Sequence, residues 1–355
     1  MTSRRDLLSL GLASAALLAG MPGAVRAAAA AATASTQASS GPFRILMITF
    51  RGETDAERGF RDYFASAGIP VEFIARDVKQ NIANLAAILE EIPSLKPDLI
   101  YTWGTPVTLG VVGPFDAPAS TPFVRDIPVV FSLVAAPVQS RIARSLASSG
   151  HNVTGAVHVV PTDVQLRAMQ SYLPFKKIGV LYSPAEQNSI AIVDQVKDFC
   201  ARQNSTLVAR TFNLNAQGRP TADGVEAIIA DIKSQGADWL YLLPDTFLGT
   251  VYDRVTPAAL AQQLPTFGAA ELAVRQGGAL VGLISRYHSV GQLAAAKAVD
   301  ILVHRKAPAD IPIETLKRFS LLINMRTAKQ LGGVYPPIDM LNYAEVISLG
   351  KDGAS

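Results

Sequence analysis

Residues 181–189 read Leu-Tyr-Ser-Pro-Ala-Glu-Gln-Asn-Ser and place two serines, a glutamate and an asparagine between an apolar run and a helix-like segment. A serine attacks a carbonyl only when a positioned base takes its proton, and paired carboxylates can serve as acid and base. No Gly-x-Ser-x-Gly elbow accompanies Ser183 or Ser189, so a serine-hydrolase geometry has no support. Neither a Walker A run nor Gly-x-Gly-x-x-Gly occurs, which leaves no nucleotide cradle and no cofactor to expect. His151, His158, His288 and His304 have no His-Glu-x-x-His or Cys-x-x-Cys company, and no metal is expected. Glu53 with Asp245 or Glu186 is the remaining catalytic pairing, of glycosidase type across a cleft. The same turn also reads as a helix start, with Ser183 to Glu186 as a capping box and Pro184 at the first helical position. Cap and cradle are compatible, because a helix N-terminus is itself an anion site. Ser183 and Glu186 are the better placed to satisfy backbone, and Asn188 and Ser189 to meet a ligand.

These groups need strands and helices to hold them. "FRILMITF", "VEFIAR", "PDLIYTWG" and "IPVVFSLV" are short apolar strands, separated by the helical "TDAERGFRDYFASAG", "NLAAILEEI" and "TPVTLGVVG". This βαβαβαβ run predicts an α/β fold whose parallel sheet is covered on both faces. The pattern restarts at "KKIGVLYS" and continues through "TLVARTF", "ADWLYLLP", "PTFGA" and "GALVGLIS". A chain of 355 residues, 49% hydrophobic and 17% charged, can bury two such cores. "NVTGAVHVV" reads as the first passage between the halves, and the segments after residue 286 as returns.

Ligands of open parallel sheets sit beyond the carboxyl ends of the strands. The first half offers Thr49, Arg51 and Glu53, then Trp103, Gly104 and Thr105, then Ser132. The second offers Asn188 and Ser189, then Asp245 with Thr246, then Glu271 and Tyr287. Each has a plainer role available: Asp245 and Thr105 also fit helix caps, Trp103 fits a core, and Arg51 fits a surface ion pair.

At the N-terminus, Arg4 and Arg5 precede an apolar stretch from Leu7 to Met21 and an alanine-rich segment. That is the layout of a cleaved export signal, and the arginine pair fits the twin-arginine route. A retained anchor helix is the alternative. Cleavage near residues 28–35 leaves a nearly neutral chain, which carries no footprint for nucleic acid. Cys200 is the single cysteine, so there is no intrachain disulfide, and no cysteine near the signal to carry a lipid.

From Arg44 to about Ile347 the chain resembles the ABC-transporter substrate-binding proteins of the TrpX-like group. The matching stretches are "DIPVVFSLV", "NVTG", "IGVLYSPAEQNS", "LLPDT", "PTFGAAELAVRQGGAL", "SRYHSVGQLAAAKAVDIL" and "INMRTAKQLG", in the family's order. The resemblance implies a type I periplasmic-binding-protein fold, two Rossmann-like lobes with parallel sheets joined by three hinge crossovers. Lobe 1 would take residues 42–157 and about 286–312, and lobe 2 residues 158–285 and about 313–345, after a signal and linker over 1–35. Carried over by position, Ser189 and the amides around Asn188 would hold a carboxylate and Asp245 an amine. Thr105 and the turn after Thr49 would contribute from lobe 1. Where the family commonly has Asp-Pro-Val, this chain has Ala136-Pro137-Val138, so a carboxylate near the hinge is missing.

The expectation is therefore a non-enzymatic periplasmic monomer that binds a small organic solute, an amino acid with an aromatic or hydrophobic side chain. It would hand this solute to an ABC permease in the inner membrane. The alternatives are presentation of the closed form to a sensor kinase or chemoreceptor, and a periplasmic enzyme using cleft carboxylates.

Overall fold

The computed structural model describes residues 41–347, and the expected export signal lies outside them. The strands are β1 (Phe43–Thr49), β2 (Val71–Asp77), β3 (Leu99–Trp103), β4 (Val129–Val134), β5 (Val153–Val157), β6 (Lys177–Tyr182), β7 (Thr206–Thr211), β8 (Asn213–Leu214), β9 (Pro220–Thr221), β10 (Trp239–Leu242), β11 (Thr266–Gly268), β12 (Val281–Ile284), β13 (Glu314–Thr315), β14 (Ser320–Asn324) and β15 (Glu345–Ile347). The α-helices are α1 (Asp55–Ser66), α2 (Leu85–Leu95), α3 (Gly104–Val112), α4 (Thr162–Tyr172), α5 (Gln187–Arg202), α6 (Val225–Ser234), α7 (Tyr252–Ala261), α8 (Glu271–Arg275), α9 (Tyr287–Leu302) and α10 (Met325–Gln330).

Two main sheets form. The first runs β13-β5-β4-β3-β1-β2 and the second β15-β14-β12-β11-β10-β6-β7, with β8 and β9 as a separate hairpin. All pairs of the first sheet are parallel, while β14 joins the second antiparallel to β12. Every residue of β3, β4 and β10 is buried, as continuous apolar strands covered on both faces require. β5 is a full strand of the first sheet and not merely the passage that "NVTGAVHVV" suggested; its short run pairs with β4, with one register shift between Ser132 and Val134. β13 likewise pairs with β5, so Glu314 and Thr315 belong to the first sheet, beyond the boundary near residue 312 read from sequence. The chain crosses between the sheets after β5, after β12 and after β13.

α1 starts on a capping box: Ala56 N donates to Thr54 Oγ1 and Thr54 N to Glu57 Oε2. α9 returns to the first sheet and packs on α1 so closely that only glycine fits at the crossing. A Cβ on Gly291 would meet the Ala56 carbonyl, and one on Gly59 the His288 carbonyl. Because α9 begins with Tyr287 at the cleft, this crossing sets where the cleft wall lies. Gly291→Val is expected to lower stability by about 1–3 kcal/mol through overpacking, measured by urea denaturation. A variant as stable as the wild type would show that the crossing can relax.

Candidate functional site

Read in chain order, each sheet contains the sequence second-first-third-fourth-fifth strand: β2-β1-β3-β4-β5 and β7-β6-β10-β11-β12. The crossover direction reverses between β1 and β3, and again between β6 and β10. Helices leave such a point on opposite faces and open a crevice beyond the strand ends. Arg51 follows β1 and Trp103 ends β3, whereas Asn188 follows β6 and Asp245 follows β10. All four line one narrow cavity, with about 40 Å³ open to a water-sized sphere.

On the first-sheet side, the Trp103 ring lies nearly parallel to Phe50 with centroids 6.0 Å apart, and the Arg51 guanidinium carbon sits 5.1 Å from the Trp103 ring. Arg51 reaches across to the other half, where Nη1 donates to the Gly249 carbonyl at 2.7 Å and Nη2 to the Thr246 carbonyl at 3.1 Å. Thr105 is buried in the first turn of α3, which opens at Gly104 with φ +76°. Leu133 has φ +60° at an irregularity in the β4–β5 register and also lines the cavity. A bulge of this kind redirects a side chain and stores backbone strain next to a site.

On the second-sheet side two buried carboxylates hold the turns together. Asp245 Oδ2 accepts from Ser183 N at 2.7 Å and Oδ1 from Leu248 N at 2.8 Å. Glu186 accepts from Thr246 N at 2.9 Å and Phe247 N at 3.1 Å. Burial raises both, and with the Asp245 carboxylate beside it Glu186 is pushed up to about 7. The capping box expected at Ser183 to Glu186 does not form: α5 starts at Gln187 with no side-chain cap. Glu186 satisfies a turn 60 residues away instead. A carboxyl raised from 4.5 to about 7 holds its proton more tightly in the folded chain. Its contribution is therefore present in full below pH 4.5 and lost as the pH rises to about 7. Relative to Glu186→Gln, the wild type should lose stability between pH 5 and pH 8 in urea titrations; a constant difference contradicts the burial argument.

Among the residues expected at the site, Arg51, Trp103, Thr105, Asn188, Asp245, Thr246 and Tyr287 line the cavity. The others sit elsewhere, each for a local reason. Thr49 Oγ1 donates to Asp77 at 3.1 Å on the neighbouring strand. Glu53 is exposed with Arg61 3.8 Å away, so it makes no carboxylate pair with Asp245 or Glu186. Gly104 supplies the left-handed backbone before Thr105 and offers no side chain. Ser132 is enclosed within β4, and Ser189 is enclosed with its hydroxyl toward Asp245. Glu271 is buried, accepts from Tyr287 N at 2.6 Å and pairs with Arg275 at 2.7 Å, which makes it the cap of α9.

Leu133, His158 and Tyr252 also line the cavity and were not anticipated. His158 lies in the first crossover, its ring edge-on to Tyr287 at 5.9 Å, and burial lowers it to about 4, so the imidazole is neutral. Its only sequence signal was an isolated histidine after an apolar strand. Four cavity-lining side chains carry a buried polar atom without a partner: Arg51 Nε, Trp103 Nε1, His158 Nδ1 and Asn188 Oδ1. Buried polar groups are ordinarily paired, so this set is what a bound molecule would complete.

Residues 50–346 match the family described as ABC transporter substrate binding protein. The chain belongs to that family. The tyrosine-binding protein of Clostridioides difficile (strain R20291) is 28% identical over 276 residues, which is 78% of this chain and 73% of that one. Among solved structures, a conserved domain protein from Vibrio cholerae is 25% identical with a TM-score of 0.73, covering 86% of this chain and 99% of that one. The ABC domain in complex with L-Trp from Streptococcus pneumonia shares 20% identity, the same TM-score of 0.73 and the same coverage of 86% and 99%. The last likeness is one of fold. The family and its neighbours agree with a type I periplasmic-binding-protein architecture. Among the described residues no helix is long and apolar enough to cross a membrane.

Proposed function

We propose that this substrate-binding protein is exported to the periplasm and works there as a monomer. It captures a free amino acid with an aromatic side chain and delivers it to the permease of an ABC importer, without chemical turnover. The observation that carries this reading is the cavity at the two switch points, with unpartnered polar atoms contributed from both sheets. The names of the relatives support it, one a tyrosine-binding protein and one a complex with L-Trp.

The lobe on the first sheet contributes Arg51, Trp103 and Thr105, and the lobe on the second contributes Asn188 and Asp245. A ligand touching both binds the closed arrangement better than the open one and shifts the population toward it. Moving from almost wholly open to almost wholly closed takes about 5.5 kcal/mol of differential affinity. Charge-assisted hydrogen bonds at each end of an amino acid, with a ring in apolar surroundings, are of that order.

The experiment is thermal unfolding of the mature protein with amino acids, organic acids, purines and sugars. L-Tyrosine or L-tryptophan at 100 times its Kd should stabilise by about 2.7 kcal/mol. Stabilisation only by sugars or purines, or by none of these, ends the amino-acid reading; conversion of the bound compound ends the non-enzymatic one.

A further inference from the structure

Apart from His158 Nδ1 in the crossover, the unpartnered atoms in the cavity differ in kind between its two sides. Trp103 is nine-tenths buried, and its indole nitrogen can only donate. Arg51 also can only donate: each terminal nitrogen gives one hydrogen to a backbone carbonyl, Nε has no partner, and the positive charge stays on that wall. Across the cavity, Asn188 is 3% exposed and its Nδ2 donates to the Pro244 carbonyl at 3.0 Å and toward Glu186 Oε2 at 3.4 Å. A carbonyl and a carboxylate accept, so the amide cannot be flipped, and Oδ1 is left as a buried acceptor with no donor. The start of α5 resembles an anion site only in isolation. Glu186 and Asp245 stand beside it with their carboxyls on neighbouring amides, and a ligand anion there would face two acidic groups.

We infer that the ligand lies across the cleft with a fixed polarity, its carboxylate on Trp103 Nε1 and Arg51 and its ammonium on Asn188 Oδ1 with Asp245 alongside. This rests on the amino-acid reading above and reverses the placement of the carboxylate that the resemblance implied.

Calorimetry with three probes tests it: L-tyrosine, tyramine without the carboxylate, and 3-(4-hydroxyphenyl)propanoate without the amine, with the weaker analogues measured by competition. Asn188→Leu should weaken L-tyrosine and tyramine by about 10- to 100-fold and the propanoate by less than about threefold. Trp103→Phe keeps a ring of similar packing and should weaken L-tyrosine and the propanoate by about tenfold, leaving tyramine within about threefold. The opposite pairing, with Asn188→Leu acting on the propanoate or Trp103→Phe on tyramine, overturns the polarity while the amino-acid reading stands. Binding of none of the three by the wild type ends both. If Asn188→Leu does not fold, as circular dichroism would show, the Trp103→Phe comparison decides alone.

Discussion

Asp245→Ala should lower the stability of the ligand-free protein by about 2–4 kcal/mol as well as weaken ligand binding. A residue at a strand end facing a cleft invites a purely ligand-binding role, and truncating such a residue would leave the free protein intact. The geometry says otherwise, because the two oxygens of Asp245 hold Ser183 N at 2.7 Å and Leu248 N at 2.8 Å. Each buried amide left without an acceptor costs about 1–3 kcal/mol. Part of this is offset, since the variant no longer buries a carboxylate beside Glu186. Asp245→Asn keeps one oxygen and should fall between the wild type and the alanine variant. Denaturant titration of all three without ligand measures the effect. An unchanged midpoint for Asp245→Ala would falsify the view that this carboxylate joins the two turns of the second sheet.

Arg51→Ala is the second large effect, and it acts on the equilibrium between open and closed forms. Arg51 links residues 198 positions apart through the Gly249 carbonyl and 195 apart through the Thr246 carbonyl. Hydrogen bonds from a charged donor contribute about 1.5–3 kcal/mol each. Removing both should shift the closed-to-open ratio by about two powers of ten or more. At an L-tyrosine concentration that closes the wild type, the variant should then show a larger radius of gyration in solution scattering. Its apparent affinity for L-tyrosine should fall at least in proportion to the lost closed fraction, and further by the direct contact of Arg51 with the ligand carboxylate. Arg51→Lys keeps the charge but not the two-pronged donor, so it should recover only part of the loss. Equal radii and equal affinities for wild type and Arg51→Ala would show that the contact is not a link between the lobes.

Much of the architecture was legible because its signals are local. Continuous apolar strands such as "LIYTW" and "VVFSLV" could only be buried on both faces, and their alternation with helices dictates a parallel sheet. The same rule pointed beyond the strand ends, where Arg51, Trp103, Thr105, Asn188, Asp245 and Tyr287 line one cavity. Where it failed, a distant partner intervened. Glu271 lies in the right turn, yet its carboxylate is occupied by Tyr287 N, 16 residues on. Glu186 fits a cap for its own helix by spacing, yet it binds the turn at Thr246 and Phe247.

The serine-rich turn at residues 181–189 contains both outcomes. Sequence by itself determined that it joins a buried strand to a helix and that its serines have no general base at motif spacing, since both are read from neighbouring residue types. Tertiary structure alone decided which of its atoms remain free. Ser189 is enclosed against Asp245, Glu186 is spent on backbone, and Asn188 keeps an unpaired oxygen in the cavity. Secondary structure follows from short-range preference, but the pairing of a buried polar atom depends on which remote segment packs beside it. For this protein that remote packing sets the chemistry of the site.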